Sequence, residues 1–335
     1  MAYGRWPALN CAVFLGLILL VAPAQMRAST ATCTAQAELT PADKAALGEI
    51  SSRIITAIQA QDTTTLQGAL LSSESADWPA IHTEADHAAA VTEGGVMKIR
   101  NLYLIDATTQ KAVADTQVFC SNASGNLTVT ITLRALPPGK YAVVLADALG
   151  GKLLGQLGLI LANESGSWKL GGISAHEGVL DGHDGVWYWS HARELAKNDD
   201  PAAAYYTYDL ANYLLLPVNY ISSPNLDKLA VEQTQVMTSM KSPLSFPMTL
   251  SDGPRSWKVS AIRIEPSLHH ADLAIVYETM GATDPASSRT EAVAIMSALL
   301  KAHPGLRENF HGLWAYSTKE GKPGFAIEIP MGEIP

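Results

Sequence analysis

The chain has 335 residues, of which 47% are hydrophobic and 16% are charged, and its formal net charge is −9 at pH 7. This composition can bury a substantial core and excludes an intrinsically disordered chain. The acidic balance argues against nucleic acid as a partner, because binding to a phosphate backbone depends on clustered Lys and Arg side chains. At ~100–200 residues per domain, the length predicts two or three domains.

The beginning of the chain has the pattern of a secretory signal peptide. Arg5 gives a short basic start, an uncharged apolar run follows over 12–22, and Ala22-Pro23-Ala24 is a small-x-small cleavage site. The apolar run is shorter than the ~20 residues that a membrane-spanning helix needs. We predict a signal peptide over 1–28, an extracytoplasmic (periplasmic or secreted) location, and no stable membrane span after cleavage. An uncleaved N-terminal anchor is the alternative.

The cysteine content is small. Cys11 lies inside the predicted leader, which leaves Cys33 and Cys120 in the mature chain. An even pair of cysteines in an oxidising compartment predicts a disulfide bond, and two free thiols are the alternative.

The mature chain opens with helical patterns. Thr40 and Asp43 fit a capping pattern around Pro41, which suits the first helical position. Asp62 is the expected cap of a second helix, and a third is predicted over about 78–93. The apolar residues of the first helix fall at helical spacing, at Leu47, Ile50, Ile54 and Ile58.

The pattern changes to a period of two after these helices. Apolar and polar residues alternate from Leu127 to Arg134, as in a strand with one buried face. Further strands are predicted over 96–106, 113–120, 141–146, 152–161 and 168–173. Helices followed by sequential strands predict an α+β fold with the helices on one face of a sheet.

The helices and the last of these strands carry a resemblance to a known family. The first helix ends in Ala57-Ile58-Gln59-Ala60-Gln61-Asp62, a short helix passes through Leu66 and Leu70, and the last hairpin ends in Gly166-Ser167-Trp168-Lys169-Leu170. Over about 40–174 the chain resembles the NTF2-like (SnoaL-like, cystatin-like cone) superfamily. The resemblance implies a curved sheet around the helices with a pocket, and pairing through the sheet in a possible homodimer. The Asp/His dyads of catalytic members do not match here, so no site residue is carried over.

The chain divides into further sections beyond this predicted domain, whose bounds we set at 40–176. A Gly- and Asp-rich linker is predicted over 178–185, a helical section or hairpin over 186–240, and a small ββαββ module over 247–335.

Three residues are candidates for acid–base catalysis. His82 and Asp86 lie four residues apart on the predicted third helix and therefore share one face. Together with His176 they form the set from which a general-base pair in the predicted pocket would be drawn. A solvent-exposed contact on the helix surface is the alternative for His82 and Asp86.

The linker and the residues before it are the densest group of potential metal ligands. They comprise His176, Glu177, Asp181, His183 and Asp184. Their imidazoles and carboxylates could hold a divalent cation, but their spacing matches neither an EF-hand nor a zinc motif. The alternative is a polar, turn-forming linker, in which Asp and Gly serve the backbone conformation. His269 and His270 precede a predicted strand, where adjacent side chains point to opposite faces and make poor joint ligands.

The helical section is rich in aromatic residues. Tyrosines recur there every seven residues, and two tryptophans precede them; the set is Trp187, Trp189, Tyr206, Tyr213 and Tyr220. This pattern predicts either a surface that stacks on a carbohydrate or peptide, or the seam by which the helices pack on their neighbours.

The motifs of common enzymes are absent from the sequence. It contains no GxSxG elbow, HExxH, CxxC or phosphate-binding loop, and no cofactor is predicted. We therefore expect non-enzymatic binding of a small apolar ligand or a protein partner. One alternative is an enzyme that uses the His/Asp pair, and another is an assembly or scaffold component of the cell envelope.

Overall fold

The structure is a computed structural model that describes residues 31–121, 124–240, 244–267, 269–282 and 284–335. The predicted signal peptide at 1–28 lies outside these residues. Within them the fold is mixed α+β, with 39% helix, 37% strand, several antiparallel sheets and eight helices, so the predicted fold class is confirmed at this level. No helix in the described part of the chain combines the length and apolar character needed to cross a membrane.

Three helices form the first layer of the N-terminal region. The Thr40 hydroxyl accepts a hydrogen bond from the Asp43 N–H at the start of the first helix, and the Asp62 carboxylate caps the second by accepting from Thr65. These caps lie where the sequence predicts them. The first elements are strand β1 (Thr32–Ala35) and helices α1 (Pro41–Gln59), α2 (Thr63–Ala69) and α3 (Trp78–Val91).

Six strands follow these helices and belong to two sheets. They are β2 (Val96–Asp106), β3 (Ala114–Ser121), β4 (Thr128–Leu136), β5 (Lys140–Leu149), β6 (Gln156–Glu164) and β7 (Ser167–His176). The front sheet has five antiparallel strands in the order β1-β2-β5-β6-β7. The hairpin of β3 and β4 belongs to a separate sheet. The alternation predicted from Leu127 is present in β4, where Val129, Ile131 and Leu133 are buried.

The front sheet lies between two apolar layers. Leu102, Val144 and Leu159 on one face pack in a core with α1, α2 and α3. Neighbouring residues such as Tyr103 and Val143 point to the other face and pack in a core with β3 and β4. A disulfide between Cys33 in β1 and Cys120 in β3 joins the two sheets, with 5.5 Å between the Cα atoms, and confirms the predicted bond.

The middle of the chain contains three helices rather than a simple hairpin. The predicted linker forms a small hairpin of β8 (Val179–Leu180) and β9 (His183–Asp184). Asp184, Asp200 and Ser223 cap the three helices with their side chains. The elements are α4 (Gly185–Lys197), α5 (Pro201–Leu215), β10 (Ile221–Ser222), which pairs with β4, and α6 (Pro224–Ser239).

The C-terminal region is a second five-stranded sheet, the back sheet, in the order β11-β12-β13-β14-β15. The pair β13–β14 is parallel and is connected through α7, whereas the other pairs are antiparallel. The predicted strands and helix are present, and β11 is added before them. The elements are β11 (Met248–Asp252), β12 (Arg255–Ser267), β13 (His270–Glu278), α7 (Pro285–Ala302), α8 (Leu306–Asn309), β14 (Gly312–Lys319) and β15 (Lys322–Pro330).

The central helices and the back sheet share one hydrophobic core. Leu210 of α5, Leu299 of α7 and Leu273 of β13 are all fully buried in it. The sections predicted as 186–240 and 247–335 are therefore packed together in the structure.

Candidate functional site

A cavity of about 350 Å³ lies between the front sheet and the central helices. It is on the face of β2 and β5 that is opposite α1, α2 and α3. Strand β4, the start of α4 and the segment 215–226 complete its walls. Most of the lining is apolar and includes Tyr103, Val129, Leu145, Leu215, Ile221 and Leu226.

A bulge in β2 brings two adjacent polar residues into this lining. The register between β2 and β5 shifts between Ile99 and Asn101, which makes Arg100 the extra residue of the strand. Adjacent strand residues normally point to opposite faces, but both Arg100 and Asn101 line the cavity. Ser223 and Asn225 contribute further polar groups from the opposite wall.

The position of Arg100 is fixed by polar partners at the edge of the cavity. Its guanidinium lies 3.1 Å from Asp147 Oδ1 and 3.5 Å from Gln156 Oε1. Gln156 also donates to the backbone oxygen of Leu214, at 2.9 Å, and so ties the front sheet to α5. The guanidinium is a permanent positive charge beside an apolar space, which suits an anionic or acceptor group on a ligand.

The cavity lining includes the phenol of Tyr103, which lies close to Arg100. Burial raises the pKa of the Tyr103 phenol by more than the neighbouring Arg100 lowers it, so the phenol is neutral at pH 7. The described residues that line the cavity include no carboxylate, histidine or cysteine.

The three residues predicted as catalytic lie elsewhere. His82 Nδ1 is 3.2 Å from Asp86 Oδ2 on α3, with side chains 37% and 50% exposed. His176 is buried at the end of β7, where its Nδ1 is 2.9 Å from the Glu177 backbone oxygen. Burial lowers the pKa of His176, so its imidazole is neutral at pH 7. None of the three lines the cavity.

The structure gives the five predicted metal ligands separate roles. Glu177 accepts a hydrogen bond of 2.5 Å from the Tyr213 hydroxyl. Asp181 accepts from the backbone N–H of Ala271, and Asp184 caps α4. His183 stacks on Trp187 at 3.6 Å between ring centroids, and His176 has the backbone contact described above.

The adjacent histidines His269 and His270 also have different partners. His269 Nδ1 is 3.9 Å from Glu177 Oε1, and His270 Nδ1 is 2.5 Å from Asp181 Oδ1. Of the residues predicted as metal ligands, Glu177 and Asp181 therefore each meet a histidine that is distant in sequence.

The predicted aromatic surface is only partly accessible. Trp187 is 40% exposed, and Trp189 is half-buried. Tyr206 is 1% exposed, because its ring belongs to the core shared by the central helices and the back sheet. Tyr213 and Tyr220 are partly buried, and burial raises the pKa of both phenols. The tyrosine repeat therefore corresponds mainly to packing positions in the structure.

No sequence motif marks Arg100 and Asn101 as site residues. The only local signal is a pair of adjacent polar residues inside a predicted strand, and this signal does not reveal a bulge. The remaining lining comes from β4, β5 and the segment 215–226, which only the tertiary fold brings together. In comparisons with protein-family models, with curated proteins and with solved structures, no significant match to the chain was found.

Proposed function

We propose that this protein binds a small amphipathic ligand in the cavity between the front sheet and the central helices. The observation that carries the proposal is the lining itself, which is apolar except for Arg100, Asn101 and the polar groups opposite them. A volume of about 350 Å³ lies within the ~300–1,000 Å³ typical of small-molecule sites.

The lining also suggests the chemical class of the ligand. An apolar body would bury its surface against Val129, Leu145 and Ile221. A carboxylate or another acceptor would lie toward the Arg100 guanidinium. A weakly anionic, mostly hydrocarbon molecule meets both conditions.

The proposed setting is outside the cytoplasm. The leader-like N-terminus and the disulfide support this setting, because disulfides persist in oxidising compartments. We also propose that residues 40–176 form an NTF2-like unit, which the helix-first order and the packing of α1–α3 on one sheet face support. The cavity lies on the sheet face opposite those helices, so the binding proposal does not depend on this assignment.

A fluorescence titration tests the binding proposal. 1-Anilinonaphthalene-8-sulfonate is the anionic probe, and N-phenyl-1-naphthylamine is a neutral probe of similar size. We expect Leu226→Trp, which fills the cavity from α6, to weaken both probes at least ~10-fold, since the indole occupies space that the probe needs. We expect Arg100→Gln to weaken binding of the anionic probe alone, by ~10-fold.

The matched control is Val113→Trp, which adds the same indole at a side chain that is 58% exposed outside the cavity lining. It should bind both probes as the wild type does, and thermal unfolding checks that each variant is folded. Binding that persists unchanged in folded Leu226→Trp would contradict the proposal.

A further inference from the structure

The back sheet brings together three ionisable residues that are far apart in sequence. The parallel register pairs Leu273 of β13 with Leu313 of β14, which places Asp272 at the level of Gly312. The antiparallel register pairs Trp314 of β14 with Glu328 of β15. His311 directly precedes β14, so its side chain lies at the same edge. One side-chain ligand atom from each of Asp272, His311 and Glu328 lies within 4.8 Å of the others.

Gly312 leaves the space between the two carboxylates open. A Cβ at this position would lie 2.5 Å from Glu328 Oε1 and 2.9 Å from Asp272 Oδ1. Any other residue would therefore push the carboxylates out of their positions. The glycine does not have a positive φ, so its backbone conformation alone does not require glycine.

The carboxylates differ in their surroundings. Asp272 is 2% exposed, and its oxygens lie 3.1 Å from His311 Nδ1 and 3.3 Å from Trp314 Nε1. Glu328 Oε1 is buried and has no hydrogen-bond partner among the described residues. A buried carboxylate oxygen without a partner is costly unless a proton or a cation compensates it.

Contacts around the cluster hold His311 in position. The His311 N–H donates to the Ala271 oxygen, and the His311 oxygen accepts from the Met331 N–H. The imidazole stacks on His270 at 3.8 Å between ring centroids, and His270 in turn pairs with Asp181 of the β8–β9 hairpin. Partners behind the ligands are typical of metal sites, because they fix the orientation of the coordinating groups.

We propose that Asp272, His311 and Glu328 form a site for a divalent transition-metal ion of the zinc type. One imidazole and two carboxylates suit Zn²⁺ better than Mg²⁺ or Ca²⁺, which prefer six or more oxygen ligands. Ligand atoms around tetrahedral Zn²⁺ lie about 3.3–3.6 Å apart, so small rotations of these side chains are sufficient. The His311 side chain is 40% exposed, which gives the ion a path from solvent and leaves a coordination position for water.

The competing occupant of the same space is a proton. Burial and the nearby Asp272 raise the pKa of the Glu328 carboxyl. A cluster that only shares a proton would stabilise the sheet without binding metal, and the experiment separates these two cases.

The test is a calorimetric titration of Zn²⁺ into protein that has been freed of metal with a chelator and then freed of the chelator. We expect one site of micromolar or tighter affinity and a rise in Tm on zinc addition, since an ion that binds only the folded chain stabilises it. Mg²⁺ at the same concentration should produce neither effect.

Three variants locate the site. Asp272→Asn and Glu328→Gln each remove a ligand charge, and Gly312→Ala obstructs the space while keeping every ligand. We expect each variant to weaken zinc binding about 100-fold or more. The reason is that a residue that coordinates the ion contributes at least as much to the affinity as a residue that only orients a ligand. Glu328→Gln alters a side chain that is only partly buried and so preserves the test if Asp272→Asn fails to fold.

The matched control is His82→Gln, which removes the histidine of an exposed His–carboxylate pair on α3. It should bind zinc like the wild type. The proposal is overturned if the wild type does not bind zinc, or if zinc binding survives both Glu328→Gln and Gly312→Ala. The ligand-binding cavity plays no part in this measurement, so each proposal can fail without the other.

Discussion

The front sheet and the back sheet each have five strands, but their surroundings differ. The front sheet is covered by apolar layers on both faces and is tied to β3 by the disulfide. The back sheet shares its core with the five helices α4 to α8 and carries ionisable groups where β13, β14 and β15 meet. The two buried carboxylates among the described residues, Glu177 and Asp272, both lie outside the two apolar layers of the front sheet.

The two sheets therefore differ in what holds them together and in the groups that they bury. Apolar burial and a covalent link stabilise the front sheet without any special geometry. Buried charges need defined partners, and in the back sheet the strand register supplies them. We call the front sheet with α1–α3 and β3–β4 the front half, and the central helices with the back sheet the back half. We therefore expect covalent and packing changes to destabilise the front half, whereas polar changes should act mainly on the back half.

The largest expected effect comes from removing the disulfide. The cysteines are separated by 87 residues, so the double variant Cys33→Ser/Cys120→Ser should lower the free energy of unfolding by about 4.5 kcal/mol, because the unfolded chain gains conformational freedom. Urea unfolding of the variant and of the oxidised wild type measures this difference. Reduced wild-type protein is the control and should behave like the variant. A loss below ~1 kcal/mol would show that the link adds little to the front half.

The next effect is the loss of stability when one buried side chain is truncated in each of the two cores. Ile54 in α1 and Leu299 in α7 are both fully buried, and replacing either with Ala should cost about 2–5 kcal/mol. Because the two residues belong to different cores, Ile54→Ala should accelerate hydrogen exchange mainly in α1–α3 and β5–β7. Leu299→Ala should act mainly on α5, α7 and β12–β14. An equal response of all elements to both variants would indicate that the two halves unfold as one unit.

The smallest effect concerns a polar cluster in the back half. The Glu232 carboxylate of α6 accepts hydrogen bonds from Trp189 and Arg193 of α4 and from Tyr208 of α5. Glu232→Gln should lower the free energy of unfolding by about 1 kcal/mol at pH 7, since the Arg193 and Glu232 side chains are 37% and 20% exposed and solvent screens their ion pair.

The same cluster predicts a pH dependence. Hydrogen bonding to Arg193 holds the pKa of Glu232 below its ordinary value of 4.5. The stabilisation is therefore present above pH 4.5 and is lost as the pH falls through the lower pKa of the folded state. The difference in urea midpoint between wild type and Glu232→Gln should shrink over that range. Glu194→Gln is the control, because its exposed pair with Lys197 should contribute less. A constant difference down to pH 3 would contradict the assigned role.

Much of the local structure followed from sequence pattern. Thr40 and Asp62 begin helices because their side chains satisfy free backbone N–H groups, a requirement that only a few residue types meet. The alternation after Leu127 marked β4 because the two faces of a strand have different surroundings. The bulge at Arg100 was not predictable, since the same residues fit a regular strand equally well.

The contacts of the aromatic and polar clusters could not be predicted from the sequence pattern. The repeat of Tyr206, Tyr213 and Tyr220 is compatible with a surface or a seam, and in the structure all three rings pack against apolar cores, Tyr206 and Tyr213 against one and Tyr220 against another. Similarly, the dense group from His176 to Asp184 is compact in sequence, but each member finds a different partner in space.

The disulfide pair, the first helix starts, most strands and the α+β class could be predicted from the sequence, because these depend on neighbouring residues or on a simple count of cysteines. The position of the cavity and the meeting of distant ionisable groups depend on how the strands and helices pack. Asp272, His311 and Glu328 come together because β13 and β14 pair in parallel across α7, and Gly312 leaves room between them. Such proximity is a property of strand register between distant segments, which no local pattern encodes.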